Sequence, residues 1–151
     1  MTENERTALL LNELSRICHT ANRKWWLDLS KPCENCKAAG WVHTNFGEPD
    51  CPYCAGRGYA KKERNVGELL MLCVSELAEA MEGHRKDLMD DHLPNRKMFE
   101  VELADCLIRI FDLCGAKGLD VGRVFVEKMT YNARREDHTV EARLKEGGKA
   151  Y

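Results

Sequence analysis

Apolar residues recur at helical spacing along most of this chain, with one long lapse. From a capping box at Thr2-x-x-Glu5, the residues Leu10, Leu14, Ile17, Cys18, Ala21 and Trp25 share a stripe that predicts a first helix to about Leu27. Asn65 opens a second helix reaching about Asp87, with Leu70, Cys73, Val74, Leu77 and Met81 as its main stripe and Leu69 and Leu72 flanking Glu76 on the neighbouring face. A break over 90–95, closed by Pro94-Asn95, precedes a third helix over about 96–114. Its stripe of Phe99, Leu103, Cys106, Leu107, Ile110 and Cys114 is expected to point inward, and Gly115 and Gly118 stop it. Asp120 caps a fourth helix running to about Arg135. Short links between helices two, three and four favour antiparallel neighbours, so the expected fold is all-α, a four-helix bundle.

The lapse covers 30–64. Gly40, Gly47, Gly56 and Gly58 alternate there with Pro32, Pro49 and Pro52, and no apolar period survives. Such a segment cannot bury enough surface to fold on hydrophobicity alone. It carries its own staple: Cys33-Glu-Asn-Cys36 and Cys51-Pro-Tyr-Cys54 supply four thiolates, the set that tetrahedral structural Zn²⁺ requires. Glycines after each pair let backbone N–H groups turn toward the sulfurs. With all four positions taken by sulfur, this zinc is structural rather than catalytic, and the nearby His43 reads as a surface residue. A redox dithiol is the lesser reading, since one pair would suffice for it. The other four cysteines, Cys18, Cys73, Cys106 and Cys114, are spread singly through helices and read as small apolar core residues. The organisation is therefore a helical domain from 1–29 and 65–135, a zinc-binding insert at 30–64, and a charged tail at 136–151.

Composition narrows the class further. At 151 residues, 44% hydrophobic and 32% charged, the chain has material for one core plus a small module. A formal net charge of −2 gives no electrostatic case for wholesale nucleic-acid binding, and the insert is only slightly basic. The amino terminus lacks a signal-peptide layout, and no apolar run approaches the roughly 20 residues of a membrane span. A cytoplasmic protein without a membrane partner is expected.

Two acidic pairs carry the chemistry. Glu76-x-x-Glu79 and Glu102-x-x-Asp105 each project from one helical face. On facing helices they would gather four carboxylates around one point, where mutual repulsion is relieved by a hard divalent cation, Mg²⁺ or Mn²⁺. Such ions neutralise phosphate oxygens and activate water, so the set points to a metal-dependent enzyme acting on phosphates. Glu82 extends the series as a further acid. Lys128, Asn132 and Arg135 share a face of the fourth helix, where cations could meet a polyphosphate and Asn132 a base or phosphate. Arg109, one turn beyond Asp105, is placed to pair with the carboxylates. Trp25 and Trp26 are adjacent, about 100° apart on a helix, so at most one faces the core while the other meets a cleft or solvent, where it could stack on a nucleobase.

Taken together, Glu76-Leu-Ala-Glu79, Glu102-Leu-Ala-Asp105, Lys117-Gly118-Leu119-Asp120 and Glu127-Lys128-Met129-x-Tyr131-Asn132 resemble the MazG-like all-α nucleotide pyrophosphohydrolases over about 66–135, with the closing Gly147-Gly148-Lys149-x-Tyr151 similar to the ends of small members. The resemblance implies Mg²⁺ on Glu76, Glu79, Glu102 and Asp105. It implies phosphate or nucleoside contacts from Lys128, Asn132 and Arg135, and a base pocket lined by Trp25 or Trp26. It implies hydrolysis of an NTP or dNTP to the monophosphate and pyrophosphate, in a dimer or tetramer. The insert departs from that family pattern, and its knuckles are similar to those of the DnaJ chaperone zinc module. The competing reading is a non-catalytic oligomer whose zinc ribbon binds nucleic acid or protein, with the acidic quartet dispensable.

Overall fold

The computed structural model of the chain describes residues 1–136 and 139–145. The closing Gly147-Gly148-Lys149-x-Tyr151 motif lies outside them. Four long helices are present: α1 (Glu3–Asn22), α2 (Val66–Lys86), α3 (Met98–Lys117) and α4 (Val121–Ala133), followed by a five-residue α5 (Val140–Leu144). Their ends follow local chemistry. The Thr2 hydroxyl accepts from the Glu5 N–H while Glu5 accepts from the Thr2 N–H, closing the capping box. Asn65 and Asp120 cap α2 and α4 by accepting from the N–H groups of Glu68 and Arg123. Gly118, at φ 63°, ends α3 in the left-handed conformation that glycine adopts at least cost.

The first helix stops earlier than its apolar period suggests. Arg23–Trp26 tighten into a 3₁₀ turn, and Leu27–Pro32 form β1, which pairs antiparallel with β2 (Tyr59–Lys61). Leu27 faces Lys61 and Asp28 faces Ala60, with an irregularity before Pro32 and Tyr59. This ribbon is the stem of the cysteine-rich insert. Strands so short offer too few positions to read a period: Leu27-Asp28-Leu29-Ser30 alternates, but only over four residues, and Leu29 stays exposed.

α3 is the central helix of the domain. α2 packs along one side and α1 along another, while α4 packs on α1 and has little contact with α2 or α3. The helices therefore do not close into the expected four-helix bundle within the single chain. The cause is visible at two close approaches. Gly115 of α3 lies against the Ser15 carbonyl and His19, and Gly122 lies against the Ala8 backbone, so α4 docks at the start of α1 instead of returning along α3. Asn12 ties this corner by donating to Asp120 at 2.7 Å and accepting from the Gly122 N–H at 2.9 Å.

The predicted inward stripes are the larger surprise. The residues buried between α2 and α3 are Leu69, Cys73, Glu76, Ala80 and Gly83 from α2 and Glu102, Cys106 and Cys114 from α3. Small residues bring the helices close: the Cys106 thiol donates to the Cys73 carbonyl, and Gly83 abuts Met98. Leu70, Val74, Leu77 and Met81 are instead about half exposed, as are Leu103, Leu107 and Ile110 of α3 and Leu10, Leu14 and Ile17 of α1. The stripes on α2 and α3 lie at the same angular offset from their shared contact line, so this antiparallel pair presents both on one side. Among the described residues no helix is long and apolar enough to cross a membrane.

Candidate functional site

Helix pairing brings three of the four predicted carboxylates together. Glu76 from α2 and Glu102 and Asp105 from α3 each offer an oxygen within 4.8 Å of the others. Glu76 and Glu102 are buried, whereas Asp105 opens toward solvent. Glu79 is exposed and stands outside this group, although its charge reaches Glu102. Glu82 forms ion pairs with Arg85 and Lys86 and takes no part. Arg109 behaves as its spacing suggests: its Nε meets Glu76 Oε1 at 2.6 Å.

Crowding has a chemical consequence. Burial pushes the Glu102 carboxyl up to about 7, aided by its hydrogen bond to Glu76 and by the charges of Glu79, Glu76 and Asp105. One guanidinium does not balance this much negative charge. An all-oxygen donor set with unrelieved repulsion fits a hard divalent cation, and Glu76, Glu102 and Asp105 could hold one.

Above the acidic group lies a cavity of about 500 Å³ in the groove between α1 and α2. Asp105, Arg109 and Asp112 form its floor; Asn22 and Trp25 enter from the end of α1, and Lys62 and Arg64 from the segment after β2. Leu69, Leu72 and Ile108 supply apolar wall. The volume lies within the range of small-molecule sites, roughly 300–1,000 Å³.

The two tryptophans divide as their angular separation requires. Trp26 is half-buried and donates its Nε1–H to both oxygens of Asp112 at 3.0 Å, edge-on to His19. His19 Nδ1 meets the same carboxylate at 2.8 Å. This Asp112–His19–Trp26 group fixes the end of α1 on α3. Trp25 is 61% exposed, with Lys24 over its ring, and lines the cavity.

Lys128, Asn132 and Arg135 are not on the cavity wall. Asp120 and Gly122 meet α1 at Asn12 and Ala8, so α4 runs toward the start of α1, whereas the cavity lies at its other end. Lys128 and Arg135 both approach the Tyr131 ring, and the Asn132 side-chain oxygen is buried without a hydrogen-bond partner among the described residues. Conversely, Lys62, Arg64, Asn22 and Asp112 line the cavity without having been singled out in the sequence. Asp112 carried a signal, since it lies seven residues beyond Asp105 on the same face of α3. Lys62 and Arg64 carried none, because their position depends on how the insert returns.

The four cysteines of the insert converge as expected. Their sulfurs lie within 4.8 Å of one another, with Cys33–Cys51 at 3.9 Å and Cys36–Cys54 at 3.7 Å. Zn–S bonds of about 2.3 Å in a tetrahedron set sulfurs about 3.8 Å apart, so the group is positioned to hold a metal. The Gly40 and Gly58 N–H groups donate to Cys36 and Cys54. Both glycines have positive φ, and a Cβ on either would collide with a backbone carbonyl, of Gly56 or Ala38. Burial opposes the Cys51 thiolate, but N–H donors from Cys54, Asn35 and Tyr53 outweigh it and pull the thiol down to about 6. His43 lies outside the group, exposed and beside Glu48. Of the four remaining cysteines, Cys73, Cys106 and Cys114 are buried and Cys18 partly so.

Comparison with protein-family models, curated proteins and solved structures found no match. The resemblance to the MazG-like enzymes therefore rests on the motifs themselves.

Proposed function

We propose that this chain is a Mg²⁺- or Mn²⁺-dependent nucleotide pyrophosphohydrolase, converting an NTP or dNTP to the monophosphate and pyrophosphate. The observation that carries the reading is the meeting of Glu76, Glu102 and Asp105, distant in sequence, beneath a cavity of nucleotide size.

Glu76, Glu102 and Asp105 would hold the cation, with Glu79 at the rim. When bound, the ion supplies charge neutralisation for phosphate oxygens and activation of water. The chain's own residues do the rest. Arg109 orients Glu76 and presents the remainder of its guanidinium to the cavity. Without a cation Glu102, buried and crowded by neighbouring acids, keeps its proton to about pH 7, so cation binding at neutral pH releases it. Leu69, Leu72 and Ile108 restrict water around the phosphates, and Trp25 offers a flat face to the base. The four cysteines hold structural zinc. The half-exposed apolar stripes of α1, α2 and α3 are the contact surface of a homo-oligomer, because a single chain leaves them wet.

The test is a panel of common and modified nucleotides with Mg²⁺, products being separated by chromatography. Pyrophosphate release from at least one substrate, abolished by Asp105→Ala, is expected; silence across the panel at full metal occupancy refutes the proposal. One observation favours the rival reading of a zinc-ribbon binding protein: the insert exposes Phe46 fully and Tyr53 at 60%. That reading requires salt-dependent nucleic-acid binding that Cys51→Ser abolishes and Asp105→Ala leaves intact.

A further inference from the structure

The cavity has walls of opposite sign. Its acidic side is Asp105 and Asp112 of α3, and its basic side, Lys62 and Arg64, comes from the last residues of the insert, just beyond β2. That segment is held in place by backbone: Lys61 pairs with Leu27 across the ribbon, and the Lys62 N–H donates to the Trp26 carbonyl at 2.8 Å. The Lys62 ammonium has no carboxylate within ion-pair distance among the described residues, and it lines both this cavity and the one beside it. The Arg64 side chain is 16% exposed, lies over the Trp26 ring and reaches Glu68 only at 3.7 Å. An unpaired ammonium and a partly desolvated guanidinium thus line one cavity, and both kinds of group bind phosphate oxygens.

A second cavity, of about 420 Å³, adjoins the first and shares Trp25 and Lys62 with it. Lys24, Arg57 and Tyr59 also line it, and no carboxylate does. Lys62 thus stands at the junction of a cleft that is acidic at one end and cationic at the other. A phosphate chain resting on a cation at the acidic end would extend toward Lys62.

We infer that the cysteine-rich insert forms one wall of the substrate site, with Lys62 and Arg64 binding the phosphate oxygens that the acidic group does not reach. This rests on the pyrophosphohydrolase reading and deepens it: the substrate class is a polyphosphate, and the cations that the resemblance assigns to α4 are supplied here by the insert. Insert folding then controls substrate affinity rather than serving a separate partner.

Inorganic tripolyphosphate, titrated calorimetrically into the full-length protein in Mg²⁺, tests this apart from catalysis. Lys62→Ala and Arg64→Gln are each expected to weaken binding at least tenfold, with melting temperature and zinc content checked alongside. Lys61→Ala, one residue away and lining neither cavity, is expected to bind as wild type. Binding unchanged in Lys62→Ala overturns the inference, as does equal weakening by Lys61→Ala, which would indicate diffuse surface charge. Failure of the wild-type protein to bind tripolyphosphate also overturns it. If Lys62-dependent binding persists while no nucleotide is hydrolysed, the anion site stands and the hydrolase reading falls. If nucleotides are hydrolysed with an unchanged KM in Lys62→Ala, the reverse holds.

Discussion

At the scale of residues, Glu102 is the side chain most altered by its surroundings. Burial, the hydrogen bond to Glu76 and the charges of Glu79, Glu76 and Asp105 push its carboxyl up from an ordinary 4.5 to about 7. In that window Glu102 binds more protons in the folded than in the unfolded state, so its contribution to the stability of the metal-free protein falls as pH rises from about 4.5 to 7 and levels off above. Thermal melts without divalent ions are expected to show this decline, and saturating Mg²⁺ at pH 8 to reverse it. Glu102→Gln should flatten the profile and remove the response to Mg²⁺; a melt indifferent to both pH and Mg²⁺ would count against the carboxylate cage. Asp112 offers a separate test. Replacing it with alanine leaves the Trp26 N–H and His19 without their acceptor, at a cost of about 1–3 kcal/mol for buried groups left unpaired. A fall in melting temperature with a shift in tryptophan fluorescence is the expected outcome.

At the scale of elements, two close approaches set the architecture. Gly122 lies so near the Ala8 backbone that any Cβ forces α1 and α4 apart. Gly122→Ala is expected to destabilise the protein by about 1–3 kcal/mol, the usual cost of overpacking, as read by chemical denaturation. The insert behaves differently, since its only fully buried side chains are Cys51 and Cys54 and its packed centre is the cysteine group itself. Without metal it has almost no apolar core to keep it folded. Cys51→Ser should therefore collapse the insert while the far-ultraviolet signal of the helices, which are joined through their own contacts, is largely kept. Loss of most helical signal on zinc removal would show that the helices lean on the insert after all.

Taken as a whole molecule, the single chain is under-buried. Its helical core is built from Leu69, Ala80 and cysteines, while leucines, valines and methionines on three helices remain half wet. Apolar area of this extent is seldom left in water by a stable soluble domain. Sedimentation equilibrium is expected to show an oligomer, and Leu77→Glu combined with Leu107→Glu to shift it toward single chains with loss of thermal stability. Wild-type protein sedimenting as a single chain at micromolar concentration would leave those stripes without an occupant. Their visibility in the sequence and their misassignment to the interior have one cause. Periodicity reports which face of a helix is apolar, not whether its partner lies in the same chain.

The sequence by itself determined the four long helices, their caps at Thr2, Asn65 and Asp120, the cysteine quartet, and the two acidic pairs on helical faces. These are local properties, set by hydrogen bonds three or four residues apart and by fixed ligand spacing. Tertiary structure decided which of the acids meet, leaving Glu79 at the edge, and which of them Arg109 pairs with. It decided that Trp26 anchors α1 on Asp112 while Trp25 faces the cavity, that α4 with Lys128 and Asn132 leaves for the far end of α1, and that Lys62 and Arg64 arrive at the cleft instead. Those outcomes follow from where backbones can approach, at Gly115 and Gly122, and from a ribbon closed by sulfur. They are distances between segments far apart along the chain, and no local pattern encodes them.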